Sequence, residues 1–99
     1  MIERHSAPDP GHKPHQRVLN TSWPLRDENG PHARDIPNMR PHIPAQARIV
    51  FEHDGQVIVD CTAVRQYGDH VCIYLHDDRL QVPYVWLAAA DVRPRAAGD

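Results

Sequence analysis

Four side chains in the second half of the sequence are of the types that bind zinc: Cys61, His70, Cys72 and His76. Their spacing argues against one shared ion. His70 and His76 are six residues apart, which along one strand is about 20 Å, whereas zinc ligands sit about 2 Å from the metal. A two-residue turn at Gly68-Asp69 would pair position 61 with 76 and 65 with 72, so at most Cys61 and His76 meet. That Cys–His pair has the types of a nucleophile and its base, but no third orienting group or oxyanion hole accompanies it. The same register keeps Cys61 and Cys72 from opposing each other, so they read as free thiols and not as a disulfide. His12-x-x-His15 has metal-like spacing inside a proline-rich stretch, where adventitious binding is the simpler reading. Asp77-Asp78 reads as a solvated loop. No glycine-rich phosphate loop or dinucleotide fingerprint occurs. The expectation is a protein that is not an enzyme and has no metal or cofactor.

Binding chemistry has more material. Arg48, Arg65, Arg79, Arg93 and Arg95 could form a stripe with Tyr67 and Tyr74, arginines holding phosphates while tyrosines stack bases. Acids at 52, 54, 60, 69, 77, 78 and 91 dilute that field. Trp23, in V-L-N-T-S-W-P-L, has the residue type that anchors protein interfaces. Tyr67, Tyr74, Tyr84 and Trp86 are the aromatics of the core-forming region besides Phe51. A methyl-lysine cage would need several of them to converge, and the sequence shows no such convergence. The partner-binding candidates are Trp23, Arg65, Tyr67, Tyr74, Tyr84 and Trp86.

The totals favour a surface over a cleft. The chain has 99 residues and a formal net charge of −2 with eight histidines. Residues 1–45 carry six Lys/Arg against five Asp/Glu, and residues 46–99 carry five against eight. An acidic folded half is a poor default for binding a phosphate backbone. The first ten residues lack the apolar run of a secretory signal, and no stretch approaches the ~20 apolar residues of a membrane span. The expectation is therefore a soluble, cytoplasmic protein without membrane contact, its two cysteines reduced. One lysine against ten arginines suggests GC-rich coding, as in actinobacteria or their phages.

The elements that must position these side chains lie in residues 47–94. Residues 1–44 hold eight of the ten prolines, with sparse apolar residues in neither a 3.6 nor a 2.0 period. They read as an extended or disordered arm, mobile over residues 1–16. Residues 18–25 read in two ways: a clip that packs Leu19, Trp23 and Leu25 on the folded part, or a motif for a partner. Residues 27–31 read as a turn, and residues 36–44 as a polyproline-like lead-in.

A first strand over 47–53 puts Ile49 and Phe51 on one face. Asp54-Gly55 predicts a two-residue type I′ hairpin. A long second strand over 56–66 is expected to bend and serve two halves of a closed sheet. The third, 70–76, alternates cleanly, with Val71, Ile73 and Leu75 opposite His70, Cys72, Tyr74 and His76. The fourth, 82–87, contains Pro83, which belongs at a strand start or edge. A 3₁₀ turn over 88–91 and a short fifth strand at Val92-Arg93 close the pattern. The fold class is all-β: a small five-stranded antiparallel barrel over 45–95, with an irregular arm over 1–44 and a frayed tail over 96–99.

This order, with V-W-L-A-A-A-D-V at 85–92, resembles the SH3-like small barrel, and that stretch is similar to the strand–3₁₀–strand signature of SH3 domains. The resemblance covers about fifty residues and implies a fold, not a ligand. Ala88 and Asp91 stand where SH3 domains place a groove proline and tyrosine, so proline-peptide recognition is not carried over.

The leading expectation is thus a non-catalytic protein–protein interaction module acting as an adaptor or regulator. The alternative is a nucleic-acid-binding regulatory barrel using Arg and Tyr residues on one face. Homo-oligomerisation through an exposed edge strand is a third reading.

Overall fold

The structure, a computed structural model, describes residues 15–24 and 35–95. Most of the proline-rich arm, the turn expected at 27–31, His12, Leu25 and the tail at 96–99 lie outside the described residues. Five strands follow in order: β1 (Ile43–Phe51), β2 (Gly55–Tyr67), β3 (His70–Tyr74), β4 (Tyr84–Ala88) and β5 (Val92–Pro94), with a 3₁₀ turn at Ala89–Asp91 between the last two. All pair antiparallel in one sheet of order β4-β3-β2-β1-β5. The all-β class and strand count agree with the sequence reading. The expected closure does not: the sheet is open, with β4 and β5 as its edges.

Period-2 patterning builds the main core. Ala45, Ala47, Ile49 and Phe51 of β1 alternate inward, meeting Cys61 and Ala63 of β2, Val71 and Ile73 of β3, and Val85 and Leu87 of β4. Ile49, Ile73 and Leu87 are fully buried. A second cluster packs on the opposite face of the β2–β4 half, where Ile36 covers Val64, Cys72 and Trp86. That half of the sheet is therefore buried on both sides, and Cys72, on the outward-reading face of strand three, is buried too.

The two hairpins differ. β1 and β2 pair Phe51 with Gly55, leaving residues 52–54 as a three-residue loop. Gly55 has φ +76°, and among the described residues no non-glycine residue, Asp54 included, has positive φ, which excludes the expected type I′ turn because it needs positive φ at Asp54 as well. The arrangement is a loop ending in a left-handed glycine that resumes the ladder. At the second hairpin Tyr67 pairs with His70, so Gly68-Asp69 is a two-residue turn as read. With positive φ at Gly68 (+58°) alone, it has the pattern of a type II′ turn.

Strand two carries the expected irregularity, and its position changes the register. Arg65 pairs with Cys72, as a two-residue turn demands, but Ala63 pairs with Ile73 and Thr62 with Tyr74. Val64 is thus an extra residue, a β-bulge that places two residues of one strand against one of the other. The projected pairing of 61 with 76 is lost by this one-residue shift. β3 also ends at Tyr74, two residues short of the predicted end, and β4 begins at Tyr84, just after Pro83.

Candidate interaction surfaces

Residues 15–24 form a strap, with a turn at Leu19-Asn20, whose exposure alternates without a break. Gln16, Val18, Asn20, Ser22 and Pro24 turn inward, while His15, Arg17, Leu19, Thr21 and Trp23 turn outward. The strap makes single antiparallel bridges to two strands, Val18 with Phe51 of β1 and Thr21 with Leu87 of β4. It is therefore a clip, but not the one expected: Leu19 (54% exposed) and Trp23 (62%) face solvent.

Polar contacts hold it. The Leu19 amide donates to the Val50 carbonyl at 2.7 Å, the Ser22 amide to the Trp86 carbonyl at 2.7 Å, and the Glu52 amide to the Arg17 carbonyl at 2.9 Å. Asn20 Nδ2 donates to the Arg48 carbonyl (2.9 Å) and to Asp91 Oδ2 (3.1 Å), while its Oδ1 accepts from the Val50 amide (2.9 Å). Gln16 Oε1 accepts from the His53 and Asp54 amides. His70 Nδ1 lies 3.1 Å from Ser22 Oγ and 3.2 Å from the Ser22 carbonyl oxygen. Each contact satisfies a polar group that docking would otherwise strip of water, which is why polar residues can serve as the inward face here.

Beneath the strap's first residues, Arg79 locks one end of the sheet. Its guanidinium lies 4.1 Å from the Phe51 ring centroid. Its Nε and Nη2 donate to Asp77 at 2.9 and 2.8 Å, its Nη1 donates to Asp54 at 3.2 Å, and its carbonyl accepts from the Gln16 amide at 2.8 Å. The hydrogen bond with Asp77 raises the Arg79 pKa above its ordinary value. Asp77 is therefore one arm of an ion pair and not a solvated loop residue, and Arg79 is committed to structure.

The arginine stripe does not assemble. Arg48 pairs with Asp91 and Arg95 with Asp60, while Arg93 donates to Gln46 Oε1. Arg65 lies on the β2–β4 half of the sheet, donating from Nε to Asn38 Oδ1 at 3.0 Å, with its guanidinium carbon 6.0 Å from the Tyr84 ring centroid. Tyr84 meets Tyr74 edge-on at 5.3 Å, and Tyr74 meets His76 both edge-on and through a hydrogen bond. The structure thus joins Arg65, Tyr74 and Tyr84. Tyr67 is exposed near the turn on the same face, and Trp86 is core, 4% exposed, so its ring offers nothing to a partner.

Cys61 and Cys72 are both buried. Burial pushes each thiol from about 9.0 up to about 11, and the nearby arginines, Arg95 for Cys61 and Arg65 for Cys72, offset this only in part. Reactivity follows the thiolate, so a disulfide-exchange reagent at pH 8 should modify the native protein slowly and release two thiol equivalents promptly on unfolding. Fast modification of either cysteine in the native state would contradict this placement. Among the described residues, no three His, Cys, Asp or Glu side chains gather as metal ligands, and no helix is long and apolar enough to cross a membrane.

The anchors Gln16, Asn20 and Ser22, and the Arg65 partner Asn38, were not among the sequence candidates. A signal for the first three existed in the alternation Q-V-N-S-P at 16, 18, 20, 22 and 24, but three of its five residues are polar, so a search for apolar periods passes over it. No protein-family model, curated protein or solved structure matches this chain.

Proposed function

We propose that this chain is a non-catalytic protein-interaction module of SH3-like architecture, in which the strap presents Leu19 and Trp23 to a protein partner. The architecture is supported by the strand order β5-β1-β2-β3-β4, by the 3₁₀ turn between β4 and β5, and by the strap's bridges to both β1 and β4. The observation that carries the function is the exposure of a tryptophan, 62% open to solvent, directly after Ser22, whose amide is hydrogen-bonded to the Trp86 carbonyl. A large aromatic on a preorganised backbone gives up little conformational entropy on binding, and tryptophan is over-represented among residues that dominate interface energetics. The complementary partner surface is an apolar pocket wide enough for an indole, with room for Leu19 four residues earlier.

The test compares the full-length protein with Leu19→Ser/Trp23→Ala in crosslinking capture from a high-GC actinobacterial lysate, with light scattering on both. Because both side chains are exposed, the double variant should keep its fold. A partner held by the wild type and lost in the variant supports the reading. So does a dimer that the variant abolishes, the partner then being a second copy. Equal capture by both forms, or no capture above background, overturns it.

A further inference from the structure

The bulge at Val64 decides what Arg65 can do. Ala63 and Ile73 pair inside the main core, so uninterrupted pairing would place residue 65 opposite Val71, also in that core. The extra residue puts Arg65 opposite Cys72 instead, on the face that carries Trp86, Tyr74 and Tyr84. Bulges re-aim side chains in this way, often at functional sites.

Two arginine–aromatic pairs occur among the described residues, and they differ in charge partners and in exposure. Arg79 lies 4.1 Å from the Phe51 centroid, and carboxylates of Asp77 and Asp54 neutralise it. Phe51 is 1% exposed, so that pair is closed. Arg65 lies 6.0 Å from the Tyr84 centroid, and its hydrogen bond goes to the neutral amide of Asn38. Tyr84 is 49% exposed, and Tyr74 packs against it in a T-shaped contact with ring centroids 5.3 Å apart. Beside this pair, residues 38–42 line a concavity of about 450 Å³, with Arg40 and His42 exposed on its wall. The Met39 amide ties that loop to the carbonyl of the bulged residue at 2.7 Å.

We infer that this face is a short binding site for single-stranded nucleic acid, with a base stacked on Tyr84, its phosphate on Arg65 and the next phosphate on Arg40. An exposed ring beside a cation that pairs with no carboxylate among the described residues suits a ligand that is planar and anionic within one repeat unit. Nucleotides meet that description, and base–aromatic stacking tolerates any base. An acidic peptide would use the cations but leave the ring idle. The chain's net charge of −2 and the pairing of Arg48, Arg79 and Arg95 elsewhere restrict the footprint to one or two phosphates. Each phosphate neutralised on a single strand contributes about −0.7 to the slope of log K against log salt. The expected slope therefore lies between about −0.7 and −1.4, far shallower than for a protein that tracks a backbone.

The experiment is fluorescence anisotropy of a labelled oligo-dT with the full-length protein at about 50 mM salt, where electrostatic binding is strong. Tyr84→Ala is expected to weaken binding about tenfold or more, and Tyr84→Phe to keep it, since stacking needs the ring alone. Arg65→Ala should weaken binding and flatten the salt slope by about 0.7. Trp23→Ala on the strap should change nothing, which separates this site from the protein-partner reading. Backbone amide spectra check that each variant is folded. Absence of binding, binding indifferent to both Tyr84→Ala and Arg65→Ala, or equal competition by polyglutamate or inorganic polyphosphate would each overturn the assignment.

Discussion

Replacing Phe51 with alanine is expected to destabilise the protein by about 3–5 kcal/mol, the range for deleting a buried aromatic ring. Three structures depend on this side chain. It fills the core at the end of β1, 1% exposed. It is the surface on which Arg79 stacks at 4.1 Å. Its backbone bridges Val18 of the strap. Removing the ring opens a cavity and also deprives Arg79 of its support, which loosens the junction of the 52–54 loop with Asp77. Small domains have stabilities as low as about 5 kcal/mol, so a domain at that limit would keep only about 0–2 kcal/mol and could be up to about half unfolded in water at room temperature. Urea denaturation is the check. A midpoint near zero urea agrees with this account, and a loss below about 1 kcal/mol would mean that Phe51 is not the packing centre described. Phe51→Leu, which keeps most of the volume, should remain folded and report the smaller cost.

Asn20→Ala is the second large effect, expected at about 2 kcal/mol. The substitution deletes two donated hydrogen bonds and one accepted bond at once. It leaves the Val50 amide and Arg48 carbonyl, both part-buried, to find water or go unpaired. Asn20→Asp sharpens the argument, because it keeps shape and the acceptor for Val50 while replacing the donor to Asp91 with a repelling carboxylate. It should be at least as damaging as alanine if donation holds the strap, and nearly neutral if packing does. Neither change touches the main core, so β1–β2 pairing should survive.

Much of the fold was readable because its signals are local. Alternation in β1 and β3, the turn at Gly68-Asp69 and the 3₁₀ turn after β4 each depend on a few neighbouring residues. What was not readable depended on accounting across the chain. The Val64 bulge has no sequence mark, yet it undoes the pairing of 61 with 76 and turns Arg65 towards the tyrosines. Cys72 read as outward by alternation and Trp86 as a partner-binding candidate, and Ile36, from a distant proline-rich segment, packs with both in a buried cluster. Asp54-Gly55 pointed to a tight turn, but only the glycine takes positive φ and the loop is a residue longer. Arg79 read as one of a possible arginine stripe because two of its partners, Phe51 and Asp54, lie at least 25 residues away in the chain. Of the candidate binding residues, Arg65, Tyr74 and Tyr84 meet on one face, Trp23 stands alone on the strap, and Trp86 belongs to the core.

Residues 16–22 are docked on the sheet by hydrogen bonds, so that Leu19 and Trp23 are displayed and not merely unattached. Native-state amide hydrogen exchange on the full-length protein tests this most directly. The Leu19 and Ser22 amides, donors to Val50 and Trp86, should be protected at least about a hundredfold over an unstructured chain, because exchange requires the strap to detach. The Asn20→Ala variant should lose that protection selectively, with β2 and β3 amides unchanged. Exchange of Leu19 and Ser22 at the unstructured rate in the wild-type protein would contradict the account.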